Sequence, residues 1–342
     1  MPPNMLDVFN GDGYSLTSLT DTINKLPHKP MRLSDMGLFE EEGVDTLTVE
    51  IEEVNGALAL VPTVARGAPG TVVVDDKRVL RNLAVPHLPQ RGAVMADEVQ
   101  GIRAFGTTTE KDSIDAKVAR ELQRMKDKLD VTIEWMKIGA LKGLILQIDK
   151  AGAVTTLYNL FTEFGVVQQT VDMELSTAGT DVAAKSRAIL RATEDELGAA
   201  TYSRVHVFAG ADLMDALIAH PKVEKFVINW NAGARFLEED LRYVGLRIGN
   251  VYFEEYRGRV NGTDYIEADE GYAFPVGVPD MWKTYFAPAN YIETVNTMGL
   301  PYYAKQKVMD FDKGVDFESQ SNVLPICKRP RAVIKLGLDV AS

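Results

Sequence analysis

The stretch Trp282–Arg331, WKTYFAPANYIETVNTMGLPYYAKQKVMDFDKGVDFESQSNVLPICKRPR, decides how this chain is read. It carries Tyr285, Phe286, Tyr291, Tyr302 and Tyr303, punctuated by Pro288, Pro301, Pro325 and Pro330. Proline fixes φ and supplies no amide hydrogen, so such a run favours extended segments and turns. The aromatic faces between the prolines are there to pack. The stretch holds no pattern of catalytic or metal-binding residues.

Upstream, the clearest element is a helix over residues 107–143. Thr107 and Glu110 stand at capping-box spacing. Ile114, Val118, Leu122, Met125, Leu129, Ile133 and Met136 recur at steps of four and three and make one apolar stripe. Lys117–Glu121 and Lys126–Asp130 read as helix-surface pairs at i,i+4, and Gly143 is a stop. At ~1.5 Å per residue the helix runs roughly 50 Å.

Before it, residues 45–61 alternate. Leu47, Val49 and Ile51 fall on one side, and Thr46, Thr48, Glu50 and Glu52 on the other, which is the period of a half-buried strand. ARGAPG (65–70) is turn chemistry, and strand character returns at TVVV and RVLRNL. The simplest picture is a long two-stranded ribbon. An isolated ribbon is marginal in water, so something has to cover it: its own domain, which is the plainer reading of the residues alone, or a neighbouring subunit. The first forty residues read as an extended arm, broken by LPHKP, with a short helical turn near Leu16–Leu26.

After the long helix, residues 145–171 look mainly like strands and turns. Helices are expected at 181–197 and 212–221, with a buried strand RVHVFAG between them. A hairpin is expected from Arg247–Arg259 and Asp264–Pro275 around Asn261-Gly262, and AVIKLGL (332–338) is a final strand. Strands, a long helix and then mixed units indicate an α+β fold.

The chain has 342 residues, room for about two to three domains of roughly 100–200 residues each. Hydrophobic content of 46% supports packed cores. No apolar run approaches the roughly 20 residues of a membrane span, and the N-terminus shows no secretory signal, so folding in the cytosol is expected. The net charge of −12 argues against tight binding to nucleic-acid phosphates. It is compatible with a like-charged wall that lets an enclosed polyanion slide; equally, it is what keeps a soluble protein in solution.

Candidate chemistry is sparse. His28, His87, His206 and His220 form no zinc-type spacing, and each reads as structural. P-loop, GxGxxG and GxSxG patterns do not occur. The lone cysteine, Cys327, reads as a small apolar filler beside Pro325 and Ile326; the alternative is a catalytic thiol. Asp310, Asp312, Asp316 and Glu318 alternate as Ca²⁺ or Mg²⁺ ligands can, but Lys313 interrupts them and Gly314 and Glu318 miss EF-hand positions, so a solvated strand face is the plainer reading. Glu254 and Glu255 beside Arg257 and Arg259 suit ion pairs across subunits. Lys328, Arg329 and Arg331, and the helix set Arg120, Arg124, Lys126 and Lys128, are too thin or too balanced for a nucleic-acid groove. No catalytic, cofactor-binding or metal residue is assigned.

The word order is informative where the chemistry is silent. FAPANYIETVNTMGLPYYAK with SQSNVLPICKRPRAVI, VPHLPQRGAVMADEVQGIRAFGTTTE (85–110) and VYFEEYRGRVNGTDYIEADEGYAFPVGVPD (251–280) together resemble, in order, the major capsid protein E family of tailed phages, the lambda-type coat proteins. The resemblance implies the Hong Kong ninety-seven-like coat fold: an N-terminal arm (1–40), an extended loop (41–100), a peripheral domain with a long spine helix (101–200), an axial domain (201–304) and a C-terminal return to the peripheral domain (305–342). It implies no enzyme and no cofactor. It implies hexamers and pentamers of the chain closing an icosahedral shell around double-stranded DNA inside the host bacterial cytoplasm. A portal, a maturation protease and often a decoration protein are implied partners; a separate scaffold is expected, because no long helical prefix precedes the arm. Some relatives of the fold join subunits through Lys and Asn; no such pair is assigned here, and Lys77 is a candidate on position alone. The alternatives are a cytosolic metal-dependent hydrolase using the Asp310–Glu318 carboxylates, or another structural phage part such as a tail-tube subunit.

Overall fold

A computed structural model describes residues 9, 11–29, 31–53, 79–99, 110–148, 152–198, 200–224, 245–260 and 262–339. These form two compact units, each assembled from discontinuous pieces of chain.

The first unit comprises residues 1–50, 82–136 and 283–325. It opens with helix α1 (Leu16–Lys25), which starts where Ser15 accepts the Ser18 amide, and the short α2 (Arg32–Asp35). Its sheet runs β1 (Glu40–Gly43), β14 (Trp282–Phe286), β16 (Gly314–Cys327) and β15 (Tyr303–Val308), with β4 (His87–Met95) also paired to β16. β16 is 14 residues long, and antiparallel β15 and β4 flank it together over Val315–Gln320. Over Val315–Glu318 buried and more exposed residues alternate, whereas from Ser319 to Cys327 every residue is buried and both faces are covered. That is why SQSNVLPIC does not alternate, and Ser319, Gln320 and Ser321 are fully buried.

β2 (Thr48–Glu53) pairs with β3 (Val79–Ala84). Val49 and Ile51 are buried as the alternation required, but Leu47 precedes the strand and is 69% exposed. The ribbon's expected middle, with ARGAPG, TVVV and Lys77, lies outside the described residues. Helix α3 (Ala96–Val99) closes β4.

The long helix α4 spans Glu110–Leu141, 32 residues. Thr107 of the expected capping box lies outside the described residues. Val118, Leu122, Met125, Leu129, Ile133 and Met136 are all at most 5% exposed, so the stripe read from the sequence is the buried face.

The second unit comprises residues 51–81, 137–282 and 326–342. A β5–β6 hairpin (Leu144–Ile148, Val154–Asn159) leads through α5 (Leu160–Phe164) to a six-stranded sheet. Its order is β7 (Gln169–Asp172), β17 (Ile334–Gly337), β13 (Glu270–Val276), β8 (Arg204–Ala209), β10 (Val251–Glu255) and β9 (Leu246–Ile248). α6 (Val182–Leu197), capped by Asp181, and α7 (Ala211–Ala219) contribute Val182, Ile189, Leu213, Met214 and Leu217 to an aliphatic core with Val205 and Val207 of β8. The alternate β8 side chains, His206 and Phe208, join an aromatic face: Phe208 lies 5.2 Å from Phe274 and 4.8 Å from Tyr256. A central strand covered on both sides explains the unbroken run VHVFA.

The expected long hairpin is corrected. Gly262, at φ +83°, sits in a tight hairpin, but only β11 (Arg259–Val260) and β12 (Thr263–Asp264) pair there. Asn261 lies outside the described residues. β10 and β13 do not pair with each other; both pair with β8, one parallel and one antiparallel. The turn cue was local and correct, whereas strand pairing was decided by β8, which fills the position between them.

Candidate functional site

On α4, Lys126, Asp130 and Glu134 each follow a stripe residue (Met125, Leu129, Ile133) and repeat every four positions, so they form a second line beside the stripe. They are 3%, 1% and 1% exposed. The sequence reading of Lys126–Asp130 as a surface pair is therefore corrected: the pair is covered by the N-terminal arm.

Each charge takes a different section of that arm. The Lys126 ammonium donates to the carbonyls of Ile23 (3.0 Å) and Leu26 (2.7 Å), at the C-terminal end of α1, where unpaired carbonyls and the helix dipole favour a cation. Its Nζ also lies 4.9 Å from the Tyr302 ring centroid. Asp130 accepts the Lys29 amide at 3.0 Å and the Tyr302 hydroxyl, and its Oδ2 is 3.0 Å from His28 Nδ1. Glu134 accepts the amides of Leu33 (2.7 Å) and Ser34 (3.1 Å) and the Ser34 hydroxyl (2.8 Å), satisfying donors at the start of α2. Gln123 Nε2 donates to the Pro27 carbonyl at 3.1 Å, and the Tyr14 hydroxyl donates to Asp115.

The electrostatics follow from burial. Desolvation lowers the Lys126 pKa, opposed by the charges of Asp130 and Asp127. Burial, then the Asp130 charge, raises the Tyr302 phenol. Burial and the bond to Asp115 raise Tyr14. The arm is also tied to β15: Asn24 Nδ2 donates to the Tyr302 carbonyl at 2.8 Å, and Gln306 Nε2 to the Phe9 carbonyl at 2.6 Å. Chemically the arrangement is a fastening. Most of these bonds join the arm to the helix or the sheet of the same unit, and the Tyr302–Asp130 bond joins the helix to the start of β15.

Sequence reasoning had one usable signal for this line, the spacing of 126, 130 and 134 directly beside an apolar stripe. It could not supply the cover, which comes from residues about a hundred positions away.

The residues singled out for chemistry fall elsewhere. Asp316 and Glu318 lie opposite Lys307 and Lys305 in the β15–β16 register, and Glu318 pairs with Arg91 of β4 at 3.0 Å, giving a cross-strand charge ladder. Asp310 and Asp312 sit in the turn between these strands. Among the described residues, no group of three or more His, Cys, Asp or Glu side chains is placed to hold a metal ion. Cys327 is fully buried, and burial pushes its thiol up to about 12. His206 is buried 3.2 Å from Glu254, and His220 Nε2 lies 3.2 Å from the Thr177 carbonyl. Arg257 pairs with Glu255 (3.4 Å) and Arg259 with Asp264 (2.8 Å) within the chain. Lys328 pairs with Asp280 and Arg331 with Glu196.

Comparison with known proteins gives this geometry a context. Residues 15–338 match the family model described as phage major capsid protein E. The chain is similar to the major capsid protein of Pseudomonas phage KPP10, 27% identical over 340 residues covering 95% of this chain and 97% of that protein. It is similar to the major capsid protein of Salmonella phage Felix O1, 26% identical over 361 residues, covering 95% and 96%. Among solved structures, the capsid of Ralstonia phage GP4 shares the fold at a TM-score of 0.50 and 12% identity, covering 89% of this chain and 88% of that one.

Proposed function

The chain belongs to the phage major capsid protein E family, and from that premise we propose how a single copy is prepared for assembly. Its role is structural and not catalytic: it is the major capsid protein of a tailed phage, and so part of the virion. The match over residues 15–338 carries this reading, because it spans both compact units.

The finer reading is that copies gather into hexamers and pentamers and close an icosahedral shell around double-stranded DNA in the host cytoplasm. Closed shells need one chain in slightly different surroundings, which suits segments held on a firm body. The N-terminal arm (1–40) is fastened to the spine helix by the Lys126–Asp130–Glu134 line, which supports its role as a pre-set element. The extended loop (41–100) reaches a neighbouring copy. The peripheral (101–200) and axial (201–304) segments and the C-terminal return (305–342) are names along the chain; the last contributes to both compact units. A separate scaffold, a portal, a maturation protease and a decoration protein are the proposed partners. The DNA is enclosed without sequence-specific contacts.

The test is negative-stain microscopy of the chain expressed with the products of its neighbouring genes. Closed spheres are expected. Stacked rings would favour a tail-tube role, and dispersed single chains would overturn the assembly reading. Deleting residues 57–83 should leave a soluble chain that fails to form shells; normal shells would remove the extended loop from the contact.

A further inference from the structure

Residues 287–302, between β14 and β15, are held at many points. Gly299 N donates to the Val44 carbonyl at 2.9 Å, and Leu300 N to the Tyr303 hydroxyl at 2.9 Å. Asn290 N donates to Gln320 Oε1 at 3.0 Å, and Asn322 Nδ2 to the Pro288 carbonyl at 2.8 Å. Thr294 Oγ1 donates to the Ala289 carbonyl at 2.7 Å. A loop tied this way has a held backbone, yet Ile292 is 91% exposed, Val295 63%, Met298 62% and Leu300 43%. Ile292 begins a 3₁₀ turn, Ile292–Thr294, and in that geometry positions three apart eclipse, so Ile292 and Val295 share a face.

The segment is also electrically quiet. Glu293 is its only charged residue, and Lys305 Nζ lies 2.6 Å from that carboxylate. We infer that this loop is a contact by which one copy seats against a second copy of the same chain, an inference that rests on the capsid reading above. Two chains of net charge −12 repel wherever their charged faces meet. Contact between copies is therefore favoured where charge is missing or already paired, and this loop meets both conditions. A basic partner would be drawn to the acidic surface instead, and DNA phosphates would gain nothing from four aliphatic side chains. Four aliphatic side chains are a small part of the roughly 20–30 residues a side that make up a standard stable interface. One such contact is weak, and many made together in a closed assembly add avidity.

The full-length Ile292→Cys variant, with the gene products that support assembly, provides the test. The native Cys327 is fully buried, so a maleimide reports on position 292. Labelling is expected to be fast in dilute chains and at least tenfold slower in shells; equal rates in both would overturn the proposal. A second variant, Ile292→Asp with Met298→Asp, is expected to keep the wild-type melting temperature while raising the concentration needed for assembly at least tenfold. Assembly at the wild-type concentration would overturn it. Failure of the wild-type chain itself to form shells under the same conditions would instead overturn the capsid reading.

Discussion

Tyr302 donates its hydroxyl hydrogen to Asp130 across 172 positions of sequence. One residue belongs to the proline-punctuated aromatic stretch and the other to the long helix. Both are buried, at 8% and 1% exposure, and each supplies what the other lacks. A buried phenol needs an acceptor, and a buried carboxylate needs donors. With His28, Lys29 and Lys126 beside them, they form the middle of the fastening that holds the arm.

Asp130→Ala therefore removes the acceptor of Lys29 and Tyr302 and a compensating charge for Lys126. Breaking a buried ionic network from one side costs about 3–5 kcal/mol. Chemical denaturation should show a loss of that order. Asp130→Asn, which keeps one carbonyl acceptor, should fall between wild type and alanine. An alanine variant as stable as wild type would show the network to be dispensable.

Glu134→Ala acts more locally. It leaves the Leu33 and Ser34 amides without their carboxylate acceptor, a loss of about 1.5–3 kcal/mol for bonds to a charged group. Hydrogen exchange at Leu33 and Ser34 is expected to accelerate markedly, with exchange in β8 unchanged. Unchanged exchange at Leu33 and Ser34 would mean that the arm is held elsewhere.

Alkaline pH should weaken the fold through its phenols. Burial raises Tyr14, Tyr272 and Tyr302 well above the ordinary value, and pushes Tyr202 and Tyr291 up to about 12. The native state keeps these protons where the unfolded chain, titrating near pH 10, releases them. Their contribution is complete below about pH 10 and is lost as pH rises through the folded values. Lys126 and Lys142, both lowered by burial, run the opposite way and favour folding as pH climbs toward their ordinary value. With these phenols, the likewise raised Tyr303 and the buried Cys327 thiol set against two amines, urea midpoints should fall above about pH 10. Phenolate absorbance should show fewer ionised tyrosines in the native chain than in the unfolded one.

Gly299→Ala tests the loop of residues 287–302. An added Cβ would sit 1.9 Å from the Phe286 carbonyl oxygen and 2.4 Å from its carbon, and backbone cannot yield as a side chain can. A cost of about 1–3 kcal/mol is expected from such overpacking. Thermal melting gives the readout, and a variant as stable as wild type would show that the loop is loose enough to move aside.

The sequence was sufficient where the physics is local. Apolar residues at helical spacing predicted the buried face of α4, as the six described ones from Val118 to Met136 show, because a stripe on a helix has to be covered by something. The helix expected from residue 181 starts there, because a side-chain oxygen next to free amides is a short-range matter. The word order of three blocks taken together, residues 85–110, 251–280 and the aromatic stretch, indicated the family. Tertiary structure decided what covers what. Lys126 and Asp130 look like an exposed i,i+4 pair until the arm is laid over them, and nothing within a turn of helix encodes that arm. β10 and β13 look like the two sides of one hairpin until β8 occupies the place between them. In both cases the free energy lies in contacts between residues far apart in the chain, and spacing along the chain carries no information about those.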